Sequence, residues 1–214
     1  MMKMKLISKL TPLVEQVALR SSWMFRLHKK YYEEVVSKEI LLGRITKEDK
    51  VLCIGGGPLP CTALEIAQRT GARVDVIDCD RSAVYCARKF VEKLGLTSQI
   101  KIFCASGQHI DTSPYTVVHV ALQAMPQDAI LRNVWQGAQK GTRVLLRCPD
   151  DMRLSFFDQE KNPYCIACSI TKQKKATLKK TILLLKGRER LDESATVCGR
   201  TVHSGFPALV GTYQ

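Results

Sequence analysis

Three consecutive glycines, Gly55-Gly56-Gly57, close the apolar run Val51–Ile54 and open a helical pattern through Ala63, Leu64, Ile66 and Ala67. Glycine lacks the β-carbon that restricts the backbone and blocks close approach of a ligand. A second apolar run, Val74–Ile77, ends in Asp78, 23 residues after Gly55. Strand, glycine turn, helix, strand and acid form the order used by doubly wound α/β sheets. In those sheets the ligand sits at the carboxyl ends of the central strands. An acid at the end of the second strand is placed to accept hydrogen bonds from ribose hydroxyls.

The rest of the chain extends this pattern. Residues 1–50 read as helical, with Leu10, Leu13, Val14 and Val17 and then Val35, Val36 and Ile40 at helical spacing. Ser82–Leu94 is amphipathic, with Ala83, Ala87, Phe90, Val91 and Leu94 on one face and Gly95 ending it. Ile100–Cys104, Tyr115–Leu122 and Arg143–Arg147 read as strands, and Asp128–Ala138 as a helix. Tyr164–Thr171 and Thr177–Lys186 read as two strands joined by a polar turn. Short apolar strands alternating with helices predict a mainly parallel sheet covered on both faces. The closing pair adds an antiparallel edge. The expectation is a doubly wound, mainly parallel, seven-stranded α/β sheet with an N-terminal helical extension. Its predicted parts are a helical cap over 1–50, an α/β domain over 51–186 and a tail over 187–214.

Two cofactor classes suit such a turn. A nicotinamide dinucleotide needs a third glycine near its pyrophosphate. Here that register falls on Pro60, which has no backbone N–H to donate. S-adenosylmethionine carries no phosphate and loses nothing by the change. It is the expected cofactor.

The segment Val51-Leu52-Cys53-Ile54-Gly55-Gly56-Gly57-Pro58-Leu59-Pro60 resembles the first motif of class I S-adenosylmethionine-dependent methyltransferases. It departs from common members at Cys53, where they carry an acid, and at Leu59, where they often carry glycine. The Gly-x-Gly-Pro-Leu-Pro form resembles a narrower group, the nicotianamine synthases and opine-metallophore synthases. Tyr32 and Glu39 match the Tyr-x6-Glu spacing of that group's helix, with Tyr31 before them. Asp78, Cys79 and Asp80 resemble the end of its second strand. Ala138–Arg147 resembles its approach to the fifth strand.

The resemblance implies transfer of the 3-amino-3-carboxypropyl group to an amine acceptor. It implies cofactor contacts at Gly55, Gly56, Gly57, Pro58, Leu59, Asp78 and Cys79. Ser106 stands where methyltransferases often carry an Asp that meets the adenine amino group, and its hydroxyl can accept a hydrogen bond. For catalysis it implies Glu39 as the carboxylate that holds the acceptor cation and takes its proton, with Tyr32 positioning through its hydroxyl. The plainer alternatives are an exposed helix residue at Glu39 and a packing role at Tyr32. The alternative function is methyl transfer to a small molecule or RNA. A third is a cofactor-binding domain without activity of its own. His119, inside a strand, reads as a satisfied core group. His109 lies nearer the expected cofactor mouth.

Composition bears on partners. The net charge of +13 favours an anionic substrate or partner, with the densest basic cluster at Lys172, Lys174, Lys175, Lys179 and Lys180. A small-molecule amine or amino-acid acceptor is the expected partner; nucleic acid is possible but not favoured, and a homodimer is possible. No apolar run approaches the ~18 residues of a membrane span, so a membrane partner is not expected. The N-terminal apolar positions are interrupted by Lys5, Lys9, Glu15 and Arg20, which argues against a cleaved signal peptide, so a cytoplasmic setting is expected. Nine scattered cysteines, an odd number, in such a reducing compartment argue against a disulfide framework. Cys165 and Cys168 form one Cys-x-x-Cys without a second pair, so no metal is expected.

Overall fold

A computed structural model describes the backbone of residues 22–148, 165–172 and 180–187, and the side chains of 32–148 and 180–187. The described elements are α1 (Ser22–Gly43), β1 (Lys50–Ile54), α2 (Cys61–Thr70), β2 (Arg73–Asp78), α3 (Arg81–Lys93), β3 (Ile100–Cys104), β4 (Val117–Val120), α4 (Gln127–Gly137), β5 (Arg143–Cys148), β6 (Cys165–Lys172) and β7 (Lys180–Lys186).

The strands form one seven-stranded sheet in the order β3-β2-β1-β4-β5-β7-β6. β1 to β5 run parallel, and β7 lies antiparallel between β5 and β6. The strand order reverses between β1 and β4, so the connections leaving their carboxyl ends run to opposite faces of the sheet and leave a cleft.

The central strands β1, β4 and β5 are buried on both faces and largely apolar, whereas the edge strand β3 exposes Lys101, Phe103 and Cys104. On one face Val51, Cys53, Val74, Val76 and Val117 pack against α1, α2 and α3. On the other, Leu52, Ile54, Val118, Val120 and Leu146 pack against α4 through Ile130, Leu131, Val134 and Trp135.

The helix ends follow local chemistry. Asp80 caps α3 by accepting from the Ser82 N–H at 2.8 Å. Gly71 ends α2 in the left-handed region, at φ 75°. The last carbonyls of α1 would lack intrahelical donors. Arg143 supplies them, its Nη1 donating to Gly43 O at 2.7 Å and Arg44 O at 2.8 Å.

Several boundaries differ from the sequence reading. Helix does not continue to residue 50: α1 ends at Gly43, and Asp49 folds the following loop by accepting from Thr46 N at 2.8 Å. β4 is shorter than Tyr115–Leu122, because only Val117–Val120 stays in register with β1 and β5. Leu94 is 42% exposed, since it follows the last turn of α3, while Val84 faces the core instead. The tail beyond residue 187, the helical spacing before Ser22 and most of the basic cluster fall outside the described residues. So do the side chains of Cys165 and Cys168.

Candidate active site

A cavity of about 380 Å³ lies at the carboxyl ends of β1, β2, β4 and β5. Its size falls within the roughly 300–1,000 Å³ of small-molecule sites. The glycine turn and Tyr32 of α1 both line it.

The three glycines meet different demands. Gly55 and Gly57 have φ of 82° and 63°, in the left-handed region that disfavours side chains. Gly56 meets a steric limit instead: a β-carbon there would stand 2.2 Å from Val76 Cγ1. The sequence reading credited these glycines to ligand approach. The structure adds two reasons internal to the protein, backbone conformation and contact with β2.

The amides of the turn are already engaged. Gly55 N and Gly56 N donate to Ile77 O at 2.9 and 3.2 Å. Gly57 N donates to Asp78 Oδ2 at 2.8 Å. Pro58 and Pro60 have no N–H. A pyrophosphate would find the three glycine amides occupied and two further donors replaced by proline along this turn. A phosphate-free nucleoside makes no such demand, so these residues fit S-adenosylmethionine better than a dinucleotide.

Asp78 ends β2 with each carboxylate oxygen on one main-chain donor. Oδ2 accepts from Gly57 N, and Oδ1 accepts from Asp80 N at 3.0 Å. A carboxylate has about four acceptor positions, so both oxygens retain capacity for a sugar diol. Cys79 and Ser106 border the same end of the cavity. The Ser106 hydroxyl accepts from Gln108 N at 3.2 Å. Pro58 and Leu59 continue the wall, and Leu59 packs with Cys61 against Tyr32 and Phe90. Tyr32 thereby joins α1 to the glycine turn.

The cavity also borders a buried charged cluster. Tyr32, Val35, Val36, Glu39 and Gly43 recur at intervals of three or four, so Glu39 faces the sheet and is fully buried. Its carboxylate accepts from Arg147 Nε at 2.7 Å and Arg147 Nη2 at 2.6 Å. Thr181, the cross-strand partner of Arg147, donates its hydroxyl to Oε1 at 2.7 Å. His119 Nε2 approaches Oε2 to 3.3 Å but is not aligned for a hydrogen bond. The Arg147 guanidinium also lies 5.4 Å from the Tyr32 ring centroid, within cation–π range.

These contacts set the charges. Burial alone would raise the Glu39 pKa, but the charge of Arg147 and the hydrogen bonds prevail and hold it well below its ordinary 4.5. Burial works against the Arg147 cation, but Glu39 more than offsets this and raises its pKa. His119 is lowered from 6.5, chiefly by burial and then by Arg147, so it is neutral near pH 7. Burial pushes the Cys53 thiol up to about 12, which makes Cys53 an uncharged spacer where common methyltransferases carry an acid.

Not every sequence expectation about this cluster holds in its original form. The exposed alternative for Glu39 is excluded by its burial. As a proton acceptor Glu39 is poorly suited, because both oxygens are engaged and its pKa is depressed. It sits behind Arg147, which borders the cavity with Tyr32, Cys53 and His119. His119 is a core residue but not a satisfied one, since its Nε2 has no hydrogen-bond partner among the described residues. His109 is exposed and does not border the cavity. The sequence reading gave Arg147 no site role. Its signal was present: arginine ending an apolar strand that leads toward the ligand edge.

No protein-family model matches the chain. An L-histidine 2-aminobutanoyltransferase of Yersinia pestis is 28% identical over 140 residues, covering 64% of this chain and 51% of that protein. The chain spans about half the length of the curated relatives it matches. A point mutant of MtNAS, solved in complex with S-adenosylmethionine, aligns with a TM-score of 0.68 and 23% identity, covering 86% of this chain and 75% of that one. An RNA methyltransferase from Salinibacter ruber, bound to S-adenosyl-L-homocysteine, aligns with a TM-score of 0.58 and 18% identity, covering 75% and 95%. The chain has the class I methyltransferase fold and is similar in sequence to opine-metallophore synthases.

Proposed function

We propose that this chain transfers the 3-amino-3-carboxypropyl group of S-adenosylmethionine to the amine of a small amino-acid-like acceptor. The observation that carries the reading is the cavity itself. It has a glycine turn whose three glycine amides are already engaged, beside Asp78. It also has a buried, ionised Glu39–Arg147 pair, beside the neutral Cys53 that stands where common methyltransferases carry an acid. The likeness to an L-histidine 2-aminobutanoyltransferase adds support and makes L-histidine the first acceptor to test.

When bound, S-adenosylmethionine supplies an electrophilic methylene beside a sulfonium leaving group, which an amine displaces in line with release of methylthioadenosine. The main chain of Gly55, Gly56 and Gly57, with Pro58 and Leu59, forms the wall along the nucleoside, and Asp78 accepts from its sugar hydroxyls. Cys79 and Ser106 border the base. Tyr32 orients the acceptor, and the rigid cluster behind it keeps reacting groups aligned. Glu39 keeps half of its expected role. Its fixed negative charge favours a cationic nitrogen nearby, while its depressed pKa leaves the released proton to water.

The test is product analysis. Incubated with S-adenosylmethionine and L-histidine, the chain is expected to yield methylthioadenosine and an aminocarboxypropyl adduct. S-adenosylhomocysteine instead would establish methyl transfer and refute the reading. Cofactor binding without either nucleoside product would leave a binding domain. RNA binding that falls steeply with salt would direct attention to an RNA methyltransferase.

A further inference from the structure

The Arg147 guanidinium has more donors than the protein uses. Arginine offers five N–H groups in a rigid fork. Nε and Nη2 are fixed on Glu39. Nη1 donates to no described residue, although Arg147 borders the cavity. Two neighbours point the same way. Cys53, buried beside it, is neutral and contributes no competing anion. His119, also at the cavity edge, is 1% exposed, keeps its Nε2 3.3 Å from Glu39 Oε2 and is held neutral, so it adds no anion of its own. A preformed cation with an unassigned donor, bordered on the cavity side by uncharged neighbours, suits an anion that enters from the cavity.

We infer that Arg147 Nη1 forms a carboxylate subsite that holds the α-carboxylate of an amino-acid group in the reaction. The inference rests on the aminocarboxypropyl reading above and gives it a specificity element. Glu39 acts here as a positioning residue. By gripping Nε and Nη2 it fixes the plane of the guanidinium, and with it the direction of Nη1. Tyr32 lies against the guanidinium and limits its swing.

Two carboxylates in the proposed reaction suit this subsite: that of the donor's amino-acid arm and that of an amino-acid acceptor. Ligand pairs differing only in the carboxylate distinguish them. In one arm, the protein is titrated calorimetrically with S-adenosylmethionine and with decarboxylated S-adenosylmethionine. In the other, protein saturated with methylthioadenosine is titrated with L-histidine and with histamine.

At least one pair is expected to show about a ten- to hundred-fold preference for the carboxylate form, the size of one charge-assisted hydrogen bond to a buried cation. The pair that shows it identifies the carboxylate. The same titrations on Glu39→Gln/Arg147→Gln are expected to reduce that preference to within about three-fold while methylthioadenosine affinity holds. Removing both charges avoids leaving either one buried alone. Equal binding within both pairs by the wild-type protein would overturn the subsite without any variant. So would a preference that survives the double substitution. Methylthioadenosine failing to bind the wild-type protein would mark a different failure, that of the nucleoside pocket itself, and would take the subsite with it.

Discussion

Arg147 holds Glu39 by two bonds, Nε to Oε1 at 2.7 Å and Nη2 to Oε2 at 2.6 Å, across 108 positions of sequence. The pair fastens α1 to β5 beneath the cavity floor, so one contact serves both stability and site geometry. Removing one partner from a buried pair strands the other charge and costs roughly 3–5 kcal/mol. Arg147→Gln and Glu39→Gln are each expected to lose stability in urea unfolding, with the double variant less destabilised than the sum. A coupling of about 0.5–3 kcal/mol is expected. Strict additivity would mean that the two groups do not interact in solution.

Acid should unfold the protein in two stages, because two groups of the cluster titrate differently between states. His119 has its pKa lowered in the fold from 6.5, chiefly by burial. Below 6.5 the unfolded chain therefore binds a proton that the folded chain resists, and stability falls as pH drops through that range. Glu39 has its pKa lowered from 4.5, with Arg147 overcoming the effect of burial. Its contribution is complete above 4.5 and is lost on further acidification towards its folded pKa. Urea midpoints measured from pH 8 to pH 3 should decline first near 6.5 and again below 4.5. His119→Asn should flatten the first decline, and a variant with an unchanged profile would remove His119 as its source.

The fold was largely legible from sequence because its signals are local. Val51–Ile54, Val74–Ile77 and the helix between them carry their own periodicity, and Gly55 and Asp78 mark the strand ends. The burial of Glu39 was also legible, since it shares the spacing of Tyr32, Val35 and Val36. Its partners were not. Arg147 meets these partners because β5 lies between β4 and β7: the first pairing puts His119 opposite Leu145, and the second puts Thr181 opposite Arg147. Sheet register is a tertiary property, and no short window of sequence encodes it. The same limit explains Gly56. Its neighbour Val76 is 20 positions away, on the adjacent strand.

That contact makes Gly56 a sharper test of the turn than its neighbours. A methyl group there would stand 2.2 Å from Val76 Cγ1, so Gly56→Ala should cost about 1–3 kcal/mol through overpacking. Gly56→Ala/Val76→Ala should recover part of that loss, because the clashing methyl is removed. Gly95, at φ 68° with nothing near its missing β-carbon, provides the control. Gly95→Ala should cost only the backbone strain, about 1 kcal/mol, with no rescue at Val76. Thermal unfolding of the three variants separates steric from conformational demand.

Asp78 joins the loop to the proposed ligand. Its oxygens accept from Gly57 N at 2.8 Å and from Asp80 N at 3.0 Å, leaving further lone pairs toward the cavity. Asn at this position keeps the shape but turns one acceptor into a donor. That amide would either face a main-chain N–H or meet the sugar with one acceptor fewer. Asp78→Asn is therefore expected to weaken methylthioadenosine about ten- to hundred-fold, as for loss of a hydrogen bond to a charged group. Because methylthioadenosine lacks the amino-acid arm, this loss should be independent of Arg147. Glu39→Gln/Arg147→Gln should leave methylthioadenosine affinity nearly unchanged in the same calorimeter. Equal affinity of Asp78→Asn and wild type would move the sugar away from β2, and with it the orientation assigned to the whole cavity.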